Sequence, residues 1–171
     1  MSNTIQAKLA AFGIYAPAKQ ASVDELKEVY EANRHRVYSF AFWMTDNELS
    51  AEEVSENVFL RVFGLSQAPS EEVVDQLLLA EIREMMPVGV LTLECGVATE
   101  VESIRHNVKR VHLERAVVQL PSTERMIFVM HDGEGYPHER IARTIGITEG
   151  ESRHGLHQAR LRIRELVAEM K

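Results

Sequence analysis

After residue 20, apolar residues recur mainly at three- and four-residue spacing, the period of an α-helix. Before it, Gly13 and Pro17 interrupt any helix that Ala7–Phe12 could begin. The first helix is predicted from Ser22, with Glu25 three positions on as a capping box. Leu26, Val29, Tyr30, Val37, Phe40, Ala41 and Met44 carry its apolar face to about Thr45, and Asp46-Asn47 reads as a turn. Ser50 and Glu53 suggest a second capping box for a helix lined by Val54, Val58 and Val62 and ended by Gly64. A third helix is expected from Ser70 to Met86, with Val74, Leu77, Leu78, Ile82 and Met85 inside and Pro87 as its stop. Residues 88–98, VGVLTLECGVA, could form a strand but have no partner strand, so they read as a linker lying on a domain surface. A helix from Thr99 to Leu120, broken by Pro121, and a shorter one from Thr123 to His131 follow.

The most ordered pattern spans Tyr136 to Arg164. Ile141, Ala142 and Ile145 sit at helical spacing, Gly146 supplies a left-handed turn, and Ile147 plugs it. Thr148 and Glu151 form a capping box for a second helix, whose inner stripe is Leu156, Ala159 and Ile163. Arg153, His154, His157, Arg160 and Arg164 are left on one outer, basic face. A short helix, a glycine turn and a cationic second helix suit a helix-turn-helix entering a DNA major groove. The bland alternative is a helical hairpin in an ordinary bundle with a solvated charged face.

The predicted architecture is all-α, two small helical bundles joined by a linker: an extension at 1–21, a first domain at 22–87, a linker at 88–99 and a helix-turn-helix domain at 100–171. Each bundle is small enough to need support from its neighbour or a partner. The composition, 45% hydrophobic and 26% charged over 171 residues, is that of a globular protein. With no apolar run near the roughly 20 residues of a membrane span, and no signal-peptide pattern, the expected location is the cytoplasm, without a membrane partner.

The net charge of −7 is unevenly spread. Residues 1–45 carry 5 Lys/Arg and 4 Asp/Glu, residues 46–104 carry 2 and 13, and residues 105–171 carry 12 and 9. The central block should therefore repel phosphate and attract a basic protein surface. Only the C-terminal third is electrostatically suited to DNA.

Catalytic and metal chemistry find little footing. Cys95 is the single cysteine, which excludes a zinc site built on cysteine pairs. Among the seven histidines, His154 and His157 are spaced i, i+3 and His131 and His138 lie nearby in sequence, yet no acid or cysteine completes a metal signature. They read better as solvent- or DNA-facing, and no metal or other cofactor is expected. His131 and Asp132 could orient each other, but no nucleophile elbow or glycine-rich phosphate loop accompanies them, so no catalytic residue is assigned. Phe40, Phe42 and Trp43 are expected in the core rather than on a base-stacking platform, and of Phe59 and Phe63 one should be core while the other faces a partner.

Two motif regions, in order, resemble the extracytoplasmic-function (ECF) sigma factors of bacterial RNA polymerase. In the C-terminal part the similarity rests on Leu120-Pro121, Arg125, Phe128, Glu134-Gly135, Ile141-Ala142, Ile145-Gly146-Ile147, Gly150, Leu156 and Ala159-Arg160, which fall where that family's promoter −35-binding domain has similar residues. In the N-terminal part, Ala51-Glu52-Glu53-Val54-Ser55-Glu56-Asn57-Val58-Phe59-Leu60-Arg61-Val62 is similar to the helix that docks on the largest polymerase subunit. The resemblance implies a sigma region 2-like domain at 22–87 and a region 4-like domain at 100–171. It implies core polymerase binding through Glu52, Glu53, Glu56, Phe59 and Arg61, and promoter duplex contact through Arg153, His154, His157, Arg160 and Arg164. An anti-sigma factor is a further implied partner, and the protein itself is not an enzyme.

The sequence departs from the family where a tryptophan-led, basic helix usually opens the −10 element. Gln76 to Met85 stand there with Arg83 as the only cation and no aromatic residue, whereas single-stranded DNA needs stacking platforms in a positive groove. Glu151, Ser152 and Gly155 also replace residues usual in the helix-turn-helix, and Gly155 is expected to remove a cation from the groove face. Three functions therefore stay open: a sigma factor, a sigma-like regulator or mimic that binds polymerase or an anti-sigma factor without melting DNA, and a plain helix-turn-helix regulator.

Overall fold

The computed structural model describes residues 21–65, 68–89 and 110–170. Among them are seven α-helices and one π-helical turn, with no strand.

Helix α1, Val23–Thr45, begins with the predicted box: Glu25 N donates to Ser22 Oγ at 3.1 Å and Ser22 N to Glu25 Oε2 at 2.7 Å. Asp46 ends it in a left-handed conformation, φ 53°, a position aspartate tolerates better than most residues. That turn sets the next helix. Asn47, extended, caps α2 (Glu48–Phe63) by accepting from Ser50 N at 2.9 Å. The expected box at Ser50 and Glu53 is therefore displaced by three residues, because asparagine caps as well as serine and the turn delivers it first. Gly64 closes α2 where expected, but in right-handed geometry, so the position does not call on glycine's left-handed freedom.

Helix α3 runs Glu71–Met85 behind Ser70 and stops before Pro87. The inner stripes are as the periodicity predicted for Val37, Phe40, Ala41, Met44, Val54, Val58, Val62, Val74, Leu78 and Ile82, all buried. Tyr30 and Met85 lie on their helices' exposed sides instead. Phe40 is core, while Phe42 and Trp43 are half-buried against it.

Most of the linker and the start of the next expected helix, residues 90–109, lie outside the described residues. Before them, Pro87 O accepts from Ser122 Oγ and Gly89 N donates to Thr123 Oγ1 at 3.0 Å, so the chain leaving α3 lies on the C-terminal half. Helix α4 covers Arg110–Val117, and α5, Ser122–Phe128, starts behind Pro121 as expected. Its predicted continuation to His131 is real but widened into a π turn, Val129–Gly133. Glu134 N bonds to Val129 O at 3.0 Å and Tyr136 N to Met130 O at 2.9 Å, so Tyr136 ends up buried.

Helices α6, His138–Ile145, and α7, Glu149–Glu169, form the helix-turn-helix. Gly146 is left-handed at φ 81°, and its N–H returns to Ala142 O at 2.8 Å. Thr148 and Glu151 make the predicted reciprocal cap. Leu156, Ala159 and Ile163 are buried, and Ile147 is half-buried against the core. Both halves of the chain contribute to one continuous core. Arg125 fixes them further, donating to Met44 O at 2.7 Å and to Leu120 O at 3.2 Å; burial lowers the pKa of its guanidinium.

Candidate nucleic-acid and protein interfaces

The outer face of α7 is less free than its sequence suggested. Arg153 is exposed but paired with Glu149 Oε2 at 2.8 Å, one helical turn earlier. His154 is half-buried, its Nε2 3.5 Å from Gln158 Nε2. His157 turns inward, with a buried Nε2 that has no hydrogen-bond partner among the described residues. Arg160 forks onto Asp132 of the π turn, Nε to Oδ2 at 3.0 Å and Nη2 to Oδ1 at 2.6 Å, with its side chain only 18% exposed. Arg164 is exposed near the far end. The single basic face read from helical spacing thus resolves into two exposed arginines, Arg153 and Arg164, with His157 and Arg160 drawn into the domain. Gly155 is buried as well, so its position is not on the exposed groove face from which a cation was expected to be missing.

Behind α7, His131 and His138 stack with ring centroids 4.6 Å apart. His131 Nδ1 lies 2.9 Å from Asp132 Oδ1, the mutual orientation expected, and His138 Nδ1 lies 2.9 Å from Ser152 Oγ. Ser152 is fully buried, so it is no nucleophile. Burial pushes the Asp132 carboxyl up, but Arg160 and His131 outweigh it and hold the group below its usual range. Burial, with the nearby His131, Arg153 and Arg160 charges, lowers His138. At the helix start, the Thr148 backbone N–H holds Glu151 low and so keeps it charged beside the N-terminus of α7.

The first helix of the motif carries two cations that the sequence reading did not assign, Arg140 and Arg143. Arg140 reaches across to α3, with Nη2 2.6 Å from Asp75 Oδ2 and 3.0 Å from Glu71 Oε1. Its guanidinium also lies 3.7 Å above the centre of the Tyr136 ring. Arg36 of α1 enters from the other side, donating to Asp75 Oδ1 and, at 2.7 Å, to Tyr136 Oη. Tyr136 Oη stands 3.3 Å from both Glu71 Oε1 and Asp75 Oδ1. Arg143 lies 3.5 Å from Glu72. Further along, Arg83 donates to Ile145 O at 2.5 Å and Gln76 to Thr144 O at 3.4 Å. The acidic block was expected to attract a basic protein surface; part of it, Glu71, Glu72 and Asp75 of α3, meets the chain's own helix-turn-helix, while Glu52, Glu53 and Glu56 do not. Arg83, the sole cation between Gln76 and Met85, is engaged in that contact.

On the opposite side, α1 and α2 frame a groove of about 490 Å³, with Tyr30, Tyr38, Phe59, Leu60 and Phe63 among its lining residues. Phe59 is buried and meets Tyr30 edge to face at 4.8 Å, while Phe63 is 46% and Leu60 60% exposed. One of the two phenylalanines is core and the other faces outward, as expected. The outward one is Phe63 rather than Phe59. Glu52, Glu53 and Glu56 are exposed, and Glu52 and Glu56 line the groove. Arg61 is turned away to α3, 2.5 Å from the buried Glu81 and 3.2 Å from Glu84. Among the described residues no three His, Cys, Asp or Glu side chains gather as metal ligands, and no helix is long and apolar enough to cross a membrane.

Residues 110–163 match the family model described as sigma-70, region 4. The ECF RNA polymerase sigma factor SigE of Mycolicibacterium smegmatis is 26% identical over an alignment covering 90% of this chain and 65% of that protein, so the chain spans about two thirds of the relative's length. In fold, the chain is similar to the sigma factor RpoE of Bartonella quintana, solved in complex with the anti-sigma factor NepR. That match has a TM-score of 0.65 and 15% identity, and covers 85% of this chain and 98% of the other.

Proposed function

We propose that this chain, a member of the ECF group of the sigma-70 family, binds core RNA polymerase through the α1–α2 groove and a promoter duplex through α6 and α7. The observation that carries the reading is the order and separation of two unlike surfaces. An apolar groove with an acidic edge lies on the N-terminal half, and a capped, cation-bearing helix-turn-helix begins within the segment matching region 4 and runs a few residues past it. Glu52, Glu53 and Glu56 supply the charge that meets a basic polymerase surface, and Phe63 and Leu60 supply exposed apolar area beside the buried Phe59. Arg61 supports this face from behind through Glu81 and Glu84. Arg153 is placed early in α7, where helix-turn-helix proteins reach base edges, and Arg164 further on, where phosphate is met. His154, His157 and Arg160 contribute by fixing the helix more than by touching DNA.

Catalysis belongs to the polymerase on this reading, and the protein works in the cytoplasm without a cofactor. An anti-sigma factor is a further partner; the solved relative was captured with one. Retention of core polymerase by the purified chain, and a shift of duplex DNA by the same preparation, test the two halves. Failure to retain polymerase at low salt removes the sigma reading.

A second reading is favoured by α3. Its Glu71, Glu72 and Asp75 face the chain's own arginines, and Arg83 is held by a backbone carbonyl. Nothing on α3 supplies the aromatic platform and positive groove that a melted strand requires. The protein would then bind polymerase and duplex, or polymerase alone, without opening DNA. Transcription from a fully duplex promoter with this chain as the only sigma separates the two: open-complex formation removes the second reading.

A further inference from the structure

We propose that α3 is an internal stand-in for DNA phosphate, whose acids hold the first helix of the helix-turn-helix so that the chain must open before it takes a duplex. The inference rests on the duplex-binding reading above. In helix-turn-helix complexes the first helix crosses the sugar–phosphate backbone, and the cations α6 has for that purpose are Arg140 and Arg143. Both are on carboxylates here: Arg140 on Asp75 and Glu71, at 2.6 and 3.0 Å, and Arg143 on Glu72 at 3.5 Å. A guanidinium recognises carboxylate and phosphate by the same charge-assisted, directional hydrogen bonds, so the two anions compete for one group.

The contact extends along α6. Gln76 and Arg83 reach the carbonyls of Thr144 and Ile145, so α3 follows the first helix to its C-terminal end. Arg36 and the buried Tyr136 back the carboxylates from inside. A duplex approaching α6 in this state would meet the exposed Glu71 and Glu72 beside the arginines, and acids so placed repel phosphate. Because both partners are on one chain, the carboxylates compete at high effective concentration. Affinity for an outside anion falls by the fraction of time the seam is open.

The test uses the full chain with Cys95→Ser and spin labels at Leu49→Cys and Ala168→Cys, positions exposed on α2 and α7. Three backgrounds are compared: the parent, Glu71→Gln/Glu72→Gln, and the same pair with Asp75→Asn. Glu71 and Glu72 are exposed, so their double variant keeps the test intact if the buried Asp75→Asn fails to fold. A labelled mixed-sequence duplex serves as the probe, and core polymerase retention is measured on the same preparations. Asp24→Asn/Glu28→Gln on α1 removes as much charge as the Glu71/Glu72 pair, away from the seam, and should leave affinity at the parent value. The expected result is a short, narrow interlabel distance in the parent, a longer and broader one in the seam variants, and duplex affinity rising about tenfold with opening. Opening without a gain in affinity overturns the proposal. So does a seam that stays closed in every variant, or a gain matched by the α1 control. If opened variants bind no duplex yet retain polymerase, the stand-in role falls, and the failure is traced to the duplex half of the reading rather than to the fold.

Discussion

Arg140 Nη2 donates to Asp75 Oδ2 across 2.6 Å, joining residues 65 apart in sequence and tying the helix-turn-helix to the acidic helix of the N-terminal half. Asp75 is 3% exposed, and Arg36 approaches it from its other side. A carboxylate so placed is tolerable only with its cations present, since an unpaired buried charge is costly. The seam therefore acts both as a structural joint and as the place where two charge patterns cancel.

Removing Arg140 should be felt as lost stability. Arg140→Ala leaves Asp75 with Arg36 alone and should cost about 2 kcal/mol, read as a lower midpoint in urea with an unchanged slope. Arg143→Ala breaks only an exposed pair and should cost no more than about 0.5 kcal/mol. Equal costs for the two would show that the buried joint contributes nothing special.

Acid should weaken the fold in a defined window. Burial raises Glu71, but hydrogen bonding to Arg140 and the Arg140 and Arg36 charges outweigh it, leaving its pKa lowered; Asp132 is lowered likewise by Arg160 and His131. A depressed carboxylate contributes stability that is present above its unfolded pKa and lost as pH falls through its folded one. Stability should thus be flat near neutrality and decline as pH falls below about 4.5. Glu71→Gln should flatten part of that decline in urea titrations at several pH values. Tyr136, raised mainly by burial, works on the other side: its contribution is present below pH 10.0, the ordinary tyrosine value, and is lost above it. An acid limb identical in the parent and Glu71→Gln would contradict the assignment.

The arginines of α7 should separate by what they touch. Arg153→Ala should cost about 1–3 kcal/mol in duplex affinity and relax preference at one base position. Arg164→Ala should weaken all sequences alike and lower the salt slope by about one. Arg160→Ala should act through stability instead, lowering the melting temperature because Asp132 loses its fork. Gel-shift titrations at two salt concentrations, with a melt of each variant, distinguish the three.

The groove should separate docking from folding. Leu60→Asp with Phe63→Asp places charge on exposed positions and should abolish polymerase retention while the helical circular dichroism is unchanged. Phe59→Ala should destabilise by about 3 kcal/mol, because it empties a buried aromatic site against Tyr30. Full retention of polymerase by the Leu60/Phe63 variant would place docking elsewhere.

What the sequence determined by itself was local. The Ser22–Glu25 and Thr148–Glu151 boxes, the Gly146 turn, the stop at Pro87 and the valine stripe of α2 are written within a few residues of where they act. Caps and helical faces need only hydrogen bonds and side chains one turn apart, so neighbours along the chain suffice to specify them. Even the cap of α2 slipped by one turn only because the left-handed Asp46 presented Asn47 first. Tertiary structure decided which charges remain available. In the sequence Arg160 stood on the outer basic face and Glu71, Asp75 and Arg140 carried no assigned role, yet each acquires its partner from another element. The sign of a charge is set by the residue, but its exposure and strength depend on the surface that closes over it, and for Asp75 and Arg140 that surface comes from the other half of the chain.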